Sequence, residues 1–312
     1  MENIILSFNV VLPLFLCIIL GYFLRRIHML DETVVKSLNR LCFKVFLPIY
    51  LFNNLYNTDI SEAFNGKLIL FGILCVLGLF VLLMLVIPRI EKENPRRGVM
   101  IQAIFRSNYA LFGLPVAISL CGVEKAGPAS LMVGIIVPVY NVLAVVTLEA
   151  FRGGKLNPWR TVKGIATNPL IIASLVGIVL NLLNIRIPET VHDCIMSLGS
   201  VATPLSLVAL GGQFQFSSIR GFRRQLTISL LGKLVFSPLL MVTLGILFGF
   251  RNEMLVPILV MSGAPTAVSS FPMAQQMGGD GDLAAAVVVF TSGFSIVTIF
   301  LWIFILKQMG MI

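Results

Sequence analysis

The sequence predicts an all-α integral membrane protein with ten transmembrane helices. These form two inverted five-helix repeats, with crossing broken helices four and nine. Three observations predict this. Of 312 residues, 57% are hydrophobic and only 12% are charged, against roughly 25% charged in soluble domains. The apolar residues fall into runs long enough to cross a bilayer, which takes about 20 residues per helix. Prolines and glycines recur at half the chain length. A disordered chain, a disulfide scaffold and a nucleic-acid-binding domain are excluded by the composition alone.

The expected spans are 4–24, 41–56, 68–88, 98–121, 129–150, 166–183, 194–212, 225–249, 254–277 and 283–306. Residues Met1–Ser7 carry no Lys or Arg. They lack the basic start of a signal peptide, so the first run is expected to stay as a helix. The connections are short and leave no room for a soluble domain. Cys17, Cys42, Cys75, Cys121 and Cys194 form no C-x-x-C pair and read as small packing residues.

Orientation follows from the basic residues. The odd loops hold Arg25, Arg26, Lys36, Arg40, Arg89, Lys92, Arg96, Arg97, Arg152, Lys155, Arg160, Lys163, Arg220, Arg223 and Arg224. The even loops and the tail hold only Lys67, Lys125, Arg186, Arg251 and Lys307. The odd loops are therefore expected in the cytoplasm and both termini outside the cell membrane.

The repeat constrains the fold most. Pro13 and Gly21 recur as Pro169 and Gly177, and Pro48 as Pro204, each 156 residues on. Pro115 recurs as Pro272, 157 residues on. The expected units are 1–150 and 166–312, joined by a short cytoplasmic linker, 151–165. Each unit has an odd number of helices, so the second enters the membrane from the opposite side, a common carrier plan.

The fourth helix reads Ser107-Asn108-Tyr109-Ala110-Leu111-Phe112-Gly113-Leu114-Pro115. The ninth reads Gly263-Ala264-Pro265-Thr266-Ala267-Val268-Ser269-Ser270-Phe271-Pro272. Proline removes a backbone donor and clashes with the turn before it. Broken backbone survives at membrane depth only when packed in protein or lining a wet cavity. Windows 108–115 and 265–272 are therefore expected to be unwound crossovers, each followed by a helical piece starting at a proline. Their free N–H groups would receive an anion. The expected substrate contacts are Asn108, Tyr109, Gly113, Leu114, Pro115, Pro265, Thr266, Ser269, Ser270 and Pro272.

Here the motifs become specific. Asn108-x4-Gly113-Leu114-Pro115, Thr167-Asn168-Pro169-Leu170-Ile171-Ile172, Phe46-Leu47-Pro48 and Ser237-Pro238-Leu239-Leu240 resemble, in order and spacing, those of the auxin efflux carrier family. The resemblance covers essentially the whole chain. It implies the ten-helix inverted repeat, export or exchange of small organic anions such as carboxylates, and a homodimer. The long cytoplasmic loop of the plant members is missing, and Ser270 stands where they carry a second proline.

Other intramembrane polar groups are functional candidates. Asn141, behind Pro138 and Tyr140, is an amide that faces substrate or bonds between helices. Thr291 and Ser292 approach from the tenth helix. Gln275 and Gln276 coordinate a cation or mark the inner end of the ninth helix. Arg106 and Lys233 supply counter-charge to an anion or snorkel to the surface. No Asp or Glu lies at mid-membrane depth. No nucleophile–base pair, metal motif or phosphate loop is present, so no catalytic residue, cofactor or metal is expected. The expected function is a secondary carrier of a small organic anion, with the lipid bilayer as its surroundings and no nucleic acid. A sodium-coupled or bile-acid-type symporter and an anion channel are the alternatives on the same fold.

Overall fold

The computed structural model describes residues 2–57, 65–152 and 158–312, with side chains described from residue 12 onward apart from short stretches. Helix α1 is Glu2–Arg26. Helix α2 runs through Glu32–Leu41, Cys42–Phe46 and Leu47–Tyr56, and α3 is Gly66–Ile90. Helix α4 is broken into α4a, Asn94–Phe105, and α4b, Tyr109–Cys121; α5 is Gly127–Ala150. Helix α6 is Pro158–Ala166 followed by Pro169–Leu182, α7 is Glu189–Gln213, and α8 is Ser218–Leu247. Helix α9 splits into α9a, Val256–Gly263, and α9b, Ser270–Gln276; α10 is Gly281–Gln308. Of these, α3, α5, α7, α8 and α10 are each long and apolar enough to cross a membrane.

Three prolines explain a recurring local feature. Pro48, Pro115 and Pro238 lack the N–H that an α-turn needs. Just before each, the helix widens. The N–H of Leu47 reaches Cys42 O, that of Leu114 reaches Tyr109 O, and that of Ser237 reaches Gly232 O, each five residues back. This π turn gives the proline ring room without unwinding the helix.

Three expectations change here. Helix α2 starts at residue 32, not 41, because Asp31 caps it by accepting the Val34 N–H at 2.7 Å. Lys36 and Arg40 therefore lie on a helix rather than in a loop. The linker is shorter than expected, since Pro158–Ala166 is helical; Lys155 falls outside the described residues. The sixth span starts at Pro169 rather than 166, because Asn168 caps Pro169–Leu182 through the Leu170 N–H, and Pro158–Ala166 precedes it as a separate helical piece.

The helices of the two halves pack across one another. Helix α1 lies on α7 through glycines. A Cβ on Gly21 would sit 2.0 Å from Val208 O, and one on Gly211 would sit 2.0 Å from Ile18 O. The segment Leu47–Tyr56 meets Pro169–Leu182 the same way: a Cβ on Gly177 would be 2.8 Å from Phe52 O. Glycine is required at such backbone approaches. The outward faces of α1, α3 and α6, with Leu16, Phe23, Leu70, Leu74, Leu175 and Leu182, expose large apolar side chains, as a lipid-facing belt does.

Candidate functional site

Helices α4a and α9a run toward each other from opposite ends and stop at mid-molecule. The chain between them crosses as a single antiparallel bridge, Ser107 to Thr266, with the Asn108 N–H donating to Pro265 O at 2.7 Å. The carbonyls at the end of a helix have no partner within it. Here each crossing strand supplies partners to the other half. Ser107 Oγ donates to Met261 O at 2.5 Å, joined by Tyr140 OH at 3.1 Å. Reciprocally, Thr266 Oγ1 donates to Ala103 O at 2.9 Å. Leaving such a buried carbonyl bare costs about 1–3 kcal/mol, so these hydroxyls make the break stable.

The break points lie earlier than expected. The first is Arg106–Asn108 rather than 108–115, because the π turn absorbs the Pro115 clash and helix resumes at Tyr109. The second is Ala264–Ser269, and Pro272 sits inside α9b rather than at its start.

A cavity of about 650 Å³ opens between α2, α4b and α5, lined among others by Tyr50, Asn54, Asn57, Leu114, Ser130 and Asn141. It continues through Tyr50, Leu51, Ala110, Leu111, Val137 and Asn141 into a chamber of about 50 Å³ at the crossover. Arg106, Asn108, Tyr109, Ser206 and Ser269 line that chamber. The opening lies at the end of the molecule that carries Asn57 and Gly127.

At the opposite end polar contacts bridge the helices, beside a smaller cavity of about 190 Å³ lined by Arg25, Glu32, Gln213 and Asp282. Arg96 Nε pairs with Asp280 at 3.1 Å, and the Asp280 N–H reaches Pro95 O at 3.2 Å. An amide chain links the helices beside them. Asn39 donates to Gln275, Gln275 to Gln213 at 3.4 Å, and Gln213 to Asp282 at 2.8 Å.

The electrostatics of the chamber centre on Arg106, whose residue is 3% exposed. Its guanidinium donates to Asn141 Oδ1 at 2.5 Å, to Ser269 Oγ at 2.7 Å and to Met273 Sδ at 2.8 Å. All three are neutral, and no carboxylate among the described residues pairs with it. Asn108 Nδ2 and Asn141 Nδ2 are buried and donate to nothing among the described residues. Three donor groups thus converge on one small space, beside the first turn of α4b, whose N–H groups lack intrahelical partners.

Of the candidate residues, Arg106, Asn108, Tyr109, Asn141 and Ser269 line this chamber together. The other candidates do not line the chamber. Gly113 is a packing residue: its Cβ would meet the Tyr109 ring at 2.7 Å and Val260 O at 3.3 Å. Leu114 faces the wider cavity. Pro265 and Thr266 hold the crossing backbone, with Thr291 Oγ1 accepting the Thr266 N–H at 3.2 Å. Ser270 accepts from Gln102 through its carbonyl at 3.0 Å, while Pro115 and Pro272 shape their helices. Gln275 belongs to the amide chain at the opposite end; Gln276 ends α9b. Lys233 is fully buried but lies outside both cavities. Tyr50, Ser107 and Ser206 are lining residues that the sequence did not single out. Only Ser107, inside the fourth-helix motif, offered a signal. Among the described residues no three His, Cys, Asp or Glu side chains cluster as a metal site.

Comparison with known proteins fits this architecture. A family model described as membrane transport protein matches residues 6–158 and 159–303. An uncharacterized transporter of Methanocaldococcus jannaschii is 25% identical over 306 residues, covering 96% of this chain and 98% of the relative. A second uncharacterized transporter, from Methanothermobacter thermautotrophicus, is 24% identical over 300 residues, covering 95% and 97%. A Rhizobium meliloti protein named "Putative malonate transporter" is 24% identical over 311 residues, covering 93% of each. The chain is thus a multi-pass membrane protein and belongs to the membrane transport protein family, the auxin efflux carrier family that its motifs resemble.

Proposed function

We propose that this chain is a secondary carrier that exports a small carboxylate across the cell membrane by alternating access. The observation that carries this reading is the buried Arg106 guanidinium. It lines a cavity and is held on two neutral oxygens and a thioether sulfur. A buried charge without a counter-charge is expensive; a carboxylate entering the chamber supplies one and accepts from Arg106 in a planar, bidentate fashion. Asn108 and Asn141 offer their unused amide hydrogens to the same anion, and the first turn of α4b adds its N–H groups and dipole. The Rhizobium relative's name points to the same substrate class, a small dicarboxylate.

Two inverted units, 1–150 and 166–312, are supported by the 156- and 157-residue spacings and by the reciprocal capping of the two breaks. With ten spans and both termini outside, the open cavity faces outward and the bridged end faces the cytoplasm, where the basic loops lie. A cavity open at one end and bridged by polar contacts at the other favours a carrier over a channel. A homodimer is expected from the family alone.

The test is counterflow in proteoliposomes. Purified protein is loaded with unlabelled malonate, succinate, malate or indole-3-acetate, and uptake of the labelled form is followed. Saturable uptake that depends on internal substrate supports a carrier. Linear flux without counterflow, at rates far above carrier turnover, would contradict it.

A further inference from the structure

Lys233 is a charged residue that the carrier reading leaves without a task. It sits in the π turn Gly232–Phe236 of α8 and is 0% exposed. Its ammonium donates to Ser107 Oγ and, at 3.1 Å, to Ser262 O. Ser107 belongs to the first crossing strand and Ser262 to the last turn of α9a. The one cation therefore ties both broken helices together behind the chamber. No carboxylate among the described residues pairs with it.

Its surroundings define what it replaces. The C-terminal end of α9a carries partial negative charge from its orphan carbonyls. Unwound carbonyls and half-helix C-termini at a carrier midplane are the groups that coordinate a dissociable sodium ion or proton. Here Met261 O is taken by Ser107 and Tyr140, and Ser262 O by Lys233. The negative end of the half-helix is already neutralised, and by a cation that cannot leave.

We infer that the Lys233 ammonium is the resident cation of the crossover, fixed where a coupling ion would otherwise bind, so that the transporter needs no sodium. The inference rests on the carrier reading for its transport consequence, but not for its structural one. Lys233 acts as a positioning residue: it holds the crossing strand against α9a and so sets the place of Asn108, next in sequence to Ser107.

The experiment is thermal unfolding of the purified protein in detergent, in sodium, choline or methylammonium chloride, with wild type beside Lys233→Ala. Wild type should unfold at the same temperature in sodium and choline. Lys233→Ala should unfold roughly 5 °C or more lower in choline. Methylammonium, which fits the vacated ammonium position, should restore much of the loss, and tetramethylammonium should not. Rescue by size separates a cation role from simple packing. A wild type stabilised by sodium over choline would overturn the inference, and so would a Lys233→Ala that is unaffected or not rescued. If Lys233→Ala fails to fold, the sodium-against-choline comparison on wild type still decides. A wild type that carries no carboxylate in any salt would sink the carrier reading and leave these unfolding results to judge Lys233 alone.

Discussion

The seam between α1 and α7 and the crossover between α4 and α9 both press backbone against backbone, yet they solve opposite problems. At the seam every backbone group is already bonded within its helix, so contact requires only the absence of side chains. Gly21 and Gly211 provide it, and their missing Cβ atoms would fall 2.0 Å from carbonyl oxygens of the partner helix. At the crossover the helices end, and contact requires partners for the freed groups. Ser107, Thr266, Tyr140 and Lys233 provide those. The seam is apolar, with Ile18 and Val208 beside the two glycines. The crossover is polar, and Arg106, Asn108 and Asn141 line its chamber. One region is built to stay and the other to bind.

That contrast breaks first at the seam. Gly211→Leu places four carbons where backbone stands, an overpacking that exceeds the ~3 kcal/mol usual for cores. The expected result is loss of folded protein, read by detergent size-exclusion chromatography. Normal folding with impaired transport would show the seam to be functional.

At the crossover the largest effect is expected from Arg106→Gln. Removing one partner of a buried charge pair costs about 2–5 kcal/mol, so the KM for carboxylate should rise by roughly 30-fold or more, while the elution profile stays that of wild type. Asn108→Ala removes one hydrogen bond to a charged ligand, about 1.5–3 kcal/mol, a rise of roughly 10-fold or more. Ser269→Ala removes a neutral partner of Arg106, about 1 kcal/mol, and should raise KM about 5-fold. A Ser269→Ala effect larger than that of Arg106→Gln would reverse the assignment and make the hydroxyl the anchor.

Much of this contrast is legible in the sequence because proline and glycine mark it. Gly21 and Gly177, which carried the half-chain spacing, are both close-approach points. The polar window around Asn108 stood out because polar groups are rare in an apolar run. What could not be read was how the chain relieves each proline. A π turn ahead of Pro115 keeps the helix wound and shifts the break to Arg106, so the expected window came too late. The start of α2 was hidden because Glu32, Lys36 and Arg40 make it polar; only Asp31, a capping residue, signalled it. Gln275 pairs with Asn39, 236 residues away, a pairing that only the fold creates. Tyr50 escaped because an aromatic in an apolar run reads as core.

The most direct test of the central claim is substrate protection at the chamber. Ser269→Cys is placed in a protein whose five native cysteines are replaced by serine, and its reaction with a small maleimide is timed. Malonate, or whichever carboxylate drives counterflow, should slow labelling, with half-protection at its transport KM. A labelling rate unchanged at saturating carboxylate would contradict an anion site at the crossover.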